Sequence, residues 1–160
     1  MNYVIDKARF DDVEDLCATQ ITAIEHFSVD DYSPEEINAW VAQVNLPHAL
    51  NTLRNKKTEV FVARDNHGMV MGFTAVKGNQ ITDIYVDPDH ANKGIGTALL
   101  RRAEWHIRKT GNKLIRLLST LNSVGFYKRK GYNPTTSQKL PVNDDVALDM
   151  VEMRKTFSAT

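Results

Sequence analysis

The sequence predicts one α+β domain over residues 1–160, and three observations carry that prediction. Seven short runs of β-branched, aromatic or aliphatic residues have strand length and turn-rich flanks. Between them lie stretches whose apolar residues recur at helical spacing. No repeat, low-complexity linker or break in composition divides the chain. Charged residues make up 25 % and apolar residues 42 %, with Lys+Arg and Asp+Glu equal at 20 each. This is ordinary globular composition, with no overall field to attract nucleic acid. No apolar stretch approaches the ~20 residues of a membrane span, and the N-terminus lacks a signal-peptide core. The expectation is a cytoplasmic protein with neither nucleic acid nor membrane as partner. Cys17 is the only cysteine, which rules out an intrachain disulfide and a multi-cysteine zinc site. Its place in an apolar-periodic helix marks it as a small buried hydrophobe.

The elements follow in order. Tyr3 to Ala8 reads as a strand, and Asp11 starts a helix with Val13, Leu16, Cys17, Gln20, Ile21 and Ile24 at helical spacing. In "DDYSPEEINAW", Ser33 and Glu36 form a capping box around Pro34, and Ile37, Trp40 and Val41 share one face. A third short helix covers Pro47 to Arg54. Residues 58–65, 69–78 and 79–87 then form a three-strand meander, its first turn made by "NHG". After two glycines, Ile95, Ala98, Leu99, Ala103 and Ile107 make a helical stripe that ends at Gly111. Residues 113–119 form a nearly continuous apolar run, as a buried strand does. A short helix over 123–130 stops at Gly131, and strands near Tyr132–Gln138 and Val146–Met153 complete the chain.

The stretch "VDPDHANKGIGTALLRR" (86–102) is the most informative. A strand, a tight polar turn and a helix start together form an anion site built from main chain. The first-turn N–H groups have no intrahelical acceptor, and the helix dipole favours negative charge. Gly94 and Gly96 stand where side chains would keep a phosphate off the backbone. Lys93 adds positive charge and Thr97 a hydroxyl. The turn lacks the Gly-Lys-[Ser/Thr] of a Walker A loop and carries two rather than three Rossmann glycines.

"ITDIYVDPDHANKGIGTALLRRAE" closely resembles the acetyl-CoA motif of the GNAT family of N-acyltransferases: a strand ending aliphatic-x-Val, then [Arg/Gln]-x-x-Gly-x-[Gly/Ala], then a helix. "FYKRKGY" (126–132) resembles the family's Phe-Tyr-x-x-x-Gly-[Phe/Tyr] segment, in the expected order and spacing. The resemblance spans the whole chain. It implies a GNAT-like fold, a central mixed, mostly antiparallel sheet of about six to seven strands flanked by helices. It also implies acetyl-CoA as cosubstrate and an amine acceptor, either a small molecule or a peptide. By resemblance, Ile84 and Val86, on either side of Tyr85, offer backbone hydrogen bonds to the pantetheine arm. Ala91, Asn92, Lys93, Gly94, Ile95, Gly96 and Thr97 cradle the pyrophosphate. Phe126 and Tyr127 flank the cofactor, with Tyr127 as the acid that protonates the leaving thiolate. Two positions depart from the family pattern. Ala91 replaces the usual Arg or Gln, with Lys93 and His90 nearby to supply charge. Thr120 replaces the Asn that often ends the later strand, leaving Asn122 to take its pantetheine contact.

Amine acetylation also needs a base to deprotonate the ammonium, directly or through water. The strand before the glycine turn offers Gln80, Thr82 and Asp83, and Asp83 is the candidate. Strand alternation sends it to the face opposite Thr82 and Ile84 unless a bulge intervenes. Glu25, His26 and Glu36 lie on the helices expected to form the acceptor side, and Tyr32 and Trp40 are candidate walls of its pocket. A water chain would also serve as base. No histidine or carboxylate cluster has metal-ligand spacing. Two other protein types fit the same turn: a non-catalytic acyl-CoA-binding protein on this fold, and a binder of another phosphate ligand. A homodimer through the C-terminal strands is an assembly this reading allows.

Overall fold

The computed structural model describes residues 2–158. Seven strands form one sheet in the spatial order β1 (Tyr3–Lys7), β2 (Thr58–Asp65), β3 (Val70–Lys77), β4 (Gln80–Val86), β5 (Leu114–Thr120), β7 (Ala147–Thr156) and β6 (Asn133–Pro141). Every neighbouring pair is antiparallel except β4 and β5, which run parallel. A parallel pair needs a crossover, supplied here by α4 (Ile95–Lys109). Helices α1 (Val13–Phe27), α2 (Pro34–Ala42) and α3 (Leu46–Arg54) precede the meander, and α5 (Val124–Arg129) follows β5.

Each helix forms where its sequence signals place it. Ser33 Oγ accepts from the Glu36 N–H at 3.1 Å, and Glu36 Oε1 accepts from the Ser33 N–H at 2.8 Å, closing the predicted capping box. Asn45 caps α3 through the His48 N–H at 2.9 Å. Along α4, Ile95, Leu99, Leu100, Ala103 and Ile107 are buried. They pack on one face of the sheet with Ile84, Ile115 and Met153. The opposite face carries Leu16 and Ile24 of α1, with Ile37 and Trp40 of α2, against Val62, Phe73, Leu148 and Met150. Cys17 is buried within α1, and burial pushes its thiol pKa up. At the start of α1, a buried Asp12 makes a bidentate pair with Arg64 of β2. Burial opposes ionisation of Asp12, but hydrogen bonds from Arg64 and from the Arg9 backbone outweigh it and hold the carboxyl below its usual range.

The predicted strands and helices all occur, and the largest differences in length fall at β6 and β7. These strands pair with each other from Asn133↔Arg154 to Pro141↔Ala147. Mutual pairing thus carries β6 through Lys139, Leu140 and Pro141, residues with no strand signal, on an edge exposed along its whole length.

Two features of β4 position the site. Its parallel pairing with β5 covers only Gln80↔Arg116 and Ile81↔Leu117, after which the strands part. Its pairing with β3 shifts between Val76↔Ile81 and Ala75↔Asp83, leaving Thr82 as a bulged residue without a partner. The bulge places Ile81, Ile84 and Val86 with the α4-side clusters, while Tyr85 packs with the clusters of the other face. Gly72 of β3 permits close approach here. A Cβ at Gly72 would stand 2.8 Å from Tyr85 O and 3.1 Å from Leu99 Cδ1.

Candidate active site

Where β4 and β5 part, a cleft of about 780 Å³ opens. The Asp87 N–H donates to Met71 O of β3 at 2.9 Å. Alternation along the strand therefore turns the N–H and C=O groups of Ile84 and Val86 toward the gap, where β5 no longer pairs with them. An edge of this kind offers hydrogen bonds to an extended, amide-bearing ligand, in the manner of an added strand.

The glycine turn closes one end of the cleft. Asn92 and Gly94 both adopt the left-handed conformation, at φ 60° and 82°. Gly94 leads into α4 without a side-chain cap, so the first-turn N–H groups remain free to meet a ligand. A Cβ at Gly96 would stand 3.7 Å from both Val86 Cγ2 and Phe126 Cζ, inside the cradle between them. Ala91, Asn92, Gly94, Ile95, Gly96 and Thr97 line the cleft, as do His90, Asn122 and Phe126. Lys93 is exposed and does not line it. Arg129 and Lys130 line the cleft instead. Arg129 Nη1 lies 3.3 Å from the Cβ position of Gly125, so the guanidinium folds back along α5. Positive charge thus reaches the cleft from the end of α5 rather than from the turn.

Tyr127 and Asp83 both face this cleft. Tyr127 is buried, its ring edge-on to Phe126 and Tyr132 at 5.2 and 5.8 Å between centroids. Burial, and then the negative charge of Asp83, push its phenol well above the ordinary tyrosine range. Burial likewise raises the Asp83 carboxyl, against the Thr82 hydroxyl at 3.0 Å and the charge of His48. Asp83 takes part in no ion pair among the described residues. A half-buried carboxylate in no ion pair is incompletely solvated, and it fits a cationic ligand group. Tyr85 also lines the cleft. Burial and Asp83 raise its phenol, with the side chains of Gln20 and Trp40 acting the other way.

The candidate acceptor residues separate. Trp40 lines the cleft, but Tyr32 and His26 do not. The Tyr32 ring is buried edge-on to Trp40 at 5.5 Å, and its hydroxyl accepts from the Leu121 N–H at 3.0 Å. It braces the wall from behind, joining α2 to the end of β5. His26 is exposed in the last turn of α1, and its neighbour Phe27, one helical step around, reaches the cleft. Glu25 and Glu36 also lie outside the lining. Sequence reasoning did not single out Phe27, Leu118 or Met150, which line this side. They come from α1, β5 and β7, with no shared motif to connect them. Among the described residues, no group of three histidine, cysteine or acidic side chains could hold a metal ion, and no helix is long and apolar enough to cross a membrane.

Comparison with known proteins agrees with this geometry. The family described as "Acetyltransferase (GNAT) domain" matches residues 28–157. An uncharacterized N-acetyltransferase of Methanocaldococcus jannaschii is 26 % identical over 144 residues, covering 81 % of this chain and 60 % of that protein's length. A GCN5-related N-acetyltransferase structure from Rhodopseudomonas palustris superposes with a TM-score of 0.90 at 23 % identity, over 98 % of this chain and 97 % of that one. The PaiA N-acetyltransferase of Thermoplasma acidophilum, solved in complex with coenzyme A, superposes with a TM-score of 0.80 at 25 % identity, over 98 % of this chain and 100 % of that one. The cleft between two parting strands, its glycine turn and the family match together place this chain in the GNAT acetyltransferase family.

Proposed function

We propose that the protein transfers an acetyl group from acetyl-CoA directly to a primary amine, with Asp83 as base and Tyr127 as acid. One juxtaposition carries this reading. The free edge of β4 joins the uncapped start of α4, and a half-buried acid and a buried phenol face the same cleft. That cleft suits a long ligand with amide groups at one end and phosphates at the other. Acetyl-CoA supplies an activated thioester. Ile84 and Val86 present backbone groups to its pantetheine arm, and the N–H groups of residues 92–97, with Arg129 and Lys130, face its phosphates. An N–H at the end of β4 donates to the carbonyl oxygen as it gains charge. Asp83, raised by burial, takes a proton from the bound ammonium and frees the attacking lone pair. Tyr127 stays protonated near neutrality and donates to the leaving thiolate. Cys17 is buried in α1 and outside the cleft lining, which supports direct transfer without an acyl-enzyme.

Calorimetric titration with acetyl-CoA, coenzyme A and ATP, followed by thiol release with amines, tests this reading. Saturable binding of both coenzyme A species with ATP silent is the expected result. Tyr127→Phe then lowers kcat by about 10²-fold or more while acetyl-CoA affinity holds within about threefold. Unchanged turnover in Tyr127→Phe would remove Tyr127 as the acid. Binding without turnover of any amine would indicate an acyl-CoA-binding protein instead.

A further inference from the structure

The acceptor side of the cleft has a chemistry distinct from the phosphate side. Resting on the acetyltransferase reading above, we infer that the acceptor is a monoamine with an apolar body and no carboxylate. The wall on that side is made mainly by Ala23, Ile24, Phe27, Trp40, Leu118 and Met150, with the polar Gln20, Ser28 and Ser119 set among them. Phe27 is 38 % exposed, so a large aromatic surface stands at the opening. In a soluble protein such a surface rimmed by polar groups marks a place for apolar ligand. The basic side chains in the lining, His90, Arg129 and Lys130, all belong to the glycine turn or to the end of α5.

Charge narrows the class further. Among the described residues Asp83 is the only acid in the lining and takes part in no ion pair, with the charge of His48 bearing on it from outside the lining. It accommodates one ammonium. A second ammonium carried into the cleft would find no further carboxylate, which disfavours polyamines. A carboxylate beside the amine, as in a free amino acid, would be desolvated against the apolar wall with no arginine or lysine to meet it.

The matched pair 2-phenylethylamine and L-phenylalanine isolates the carboxylate, and spermidine tests the second ammonium. Thiol release from acetyl-CoA is measured for each with the full chain, alongside calorimetric binding of acetyl-CoA. The expected result is a kcat/KM for 2-phenylethylamine about tenfold or more above those for L-phenylalanine and spermidine. Phe27→Ala lowers the 2-phenylethylamine value about fivefold or more, mostly through KM, and leaves acetyl-CoA affinity unchanged. Equal or preferred use of L-phenylalanine or spermidine overturns the acceptor class while leaving the acetyltransferase reading in place. Failure to bind acetyl-CoA, or binding without turnover of any of the three, overturns both.

Discussion

The two halves of the cleft are built by opposite means. The half proposed to hold the phosphates, the phosphate half, is made largely of main chain from one continuous segment, residues 84–97, in which the conformation of Asn92 and Gly94 decides the shape. The acceptor half is made of side chains from α1, α2, β4, β5 and β7, brought together from across the chain. Backbone amides bind any phosphate of the right geometry, so that half tolerates changes in side chain. The clearest case is Ala91, where the expected cation is missing and, on the proposed reading, Arg129 supplies charge from elsewhere. Side-chain walls have no such tolerance. One half suits a ligand common to a family, the other a ligand particular to one member.

The sharpest test of this division lies at the boundary between the halves. Asp83→Asn lowers kcat/KM by about 10²-fold with little change in acetyl-CoA affinity, measurable by thiol release and calorimetry. The same variant is expected to gain stability at neutral pH. Burial raises the folded-state carboxyl above its ordinary value of 3.8. The folded state then binds more protons than the unfolded state, and stability falls as pH rises from about that value through the raised one. Asp83→Asn has no such loss. Thermal midpoints of both proteins from pH 3.5 to 8 therefore diverge in favour of the variant as pH rises, and parallel curves would argue that Asp83 is solvated.

A smaller effect is expected at Gly72, behind β4. Its Cβ would meet backbone at 2.8 Å, which only a shift of β4 or β3 can relieve. Gly72→Ala costs about 2 kcal/mol in denaturant unfolding and weakens acetyl-CoA binding by moving the Tyr85–Val86 edge. The mildest change is Arg129→Ala. It lowers coenzyme A affinity about three- to tenfold, and the difference shrinks as salt rises. Amine KM is unaffected, so a change there would blur the division between the halves.

The glycine turn and the order of elements were legible in the sequence because both are local properties. Capping at Ser33, the stripe from Ile95 to Ile107 and the Gly-x-Gly turn depend on residues within a few positions of one another. Three things were decided only by tertiary structure. The parting of β4 and β5 after two paired residues is a relation between strands more than 25 residues apart, and nothing in either segment specifies it. The bulge at Thr82, which gives Asp83 and Tyr85 their face, arises from the match of β4 against β3. The acceptor wall placed Phe27 in the cleft and left His26 outside because packing fixed the rotation of α1, while both residues sit together at one helix end. Local sequence determined which segments are strands, helices and a phosphate-ready turn. Long-range packing decided which side chains meet in the cleft, because a contact between distant segments depends on how the whole sheet closes around it.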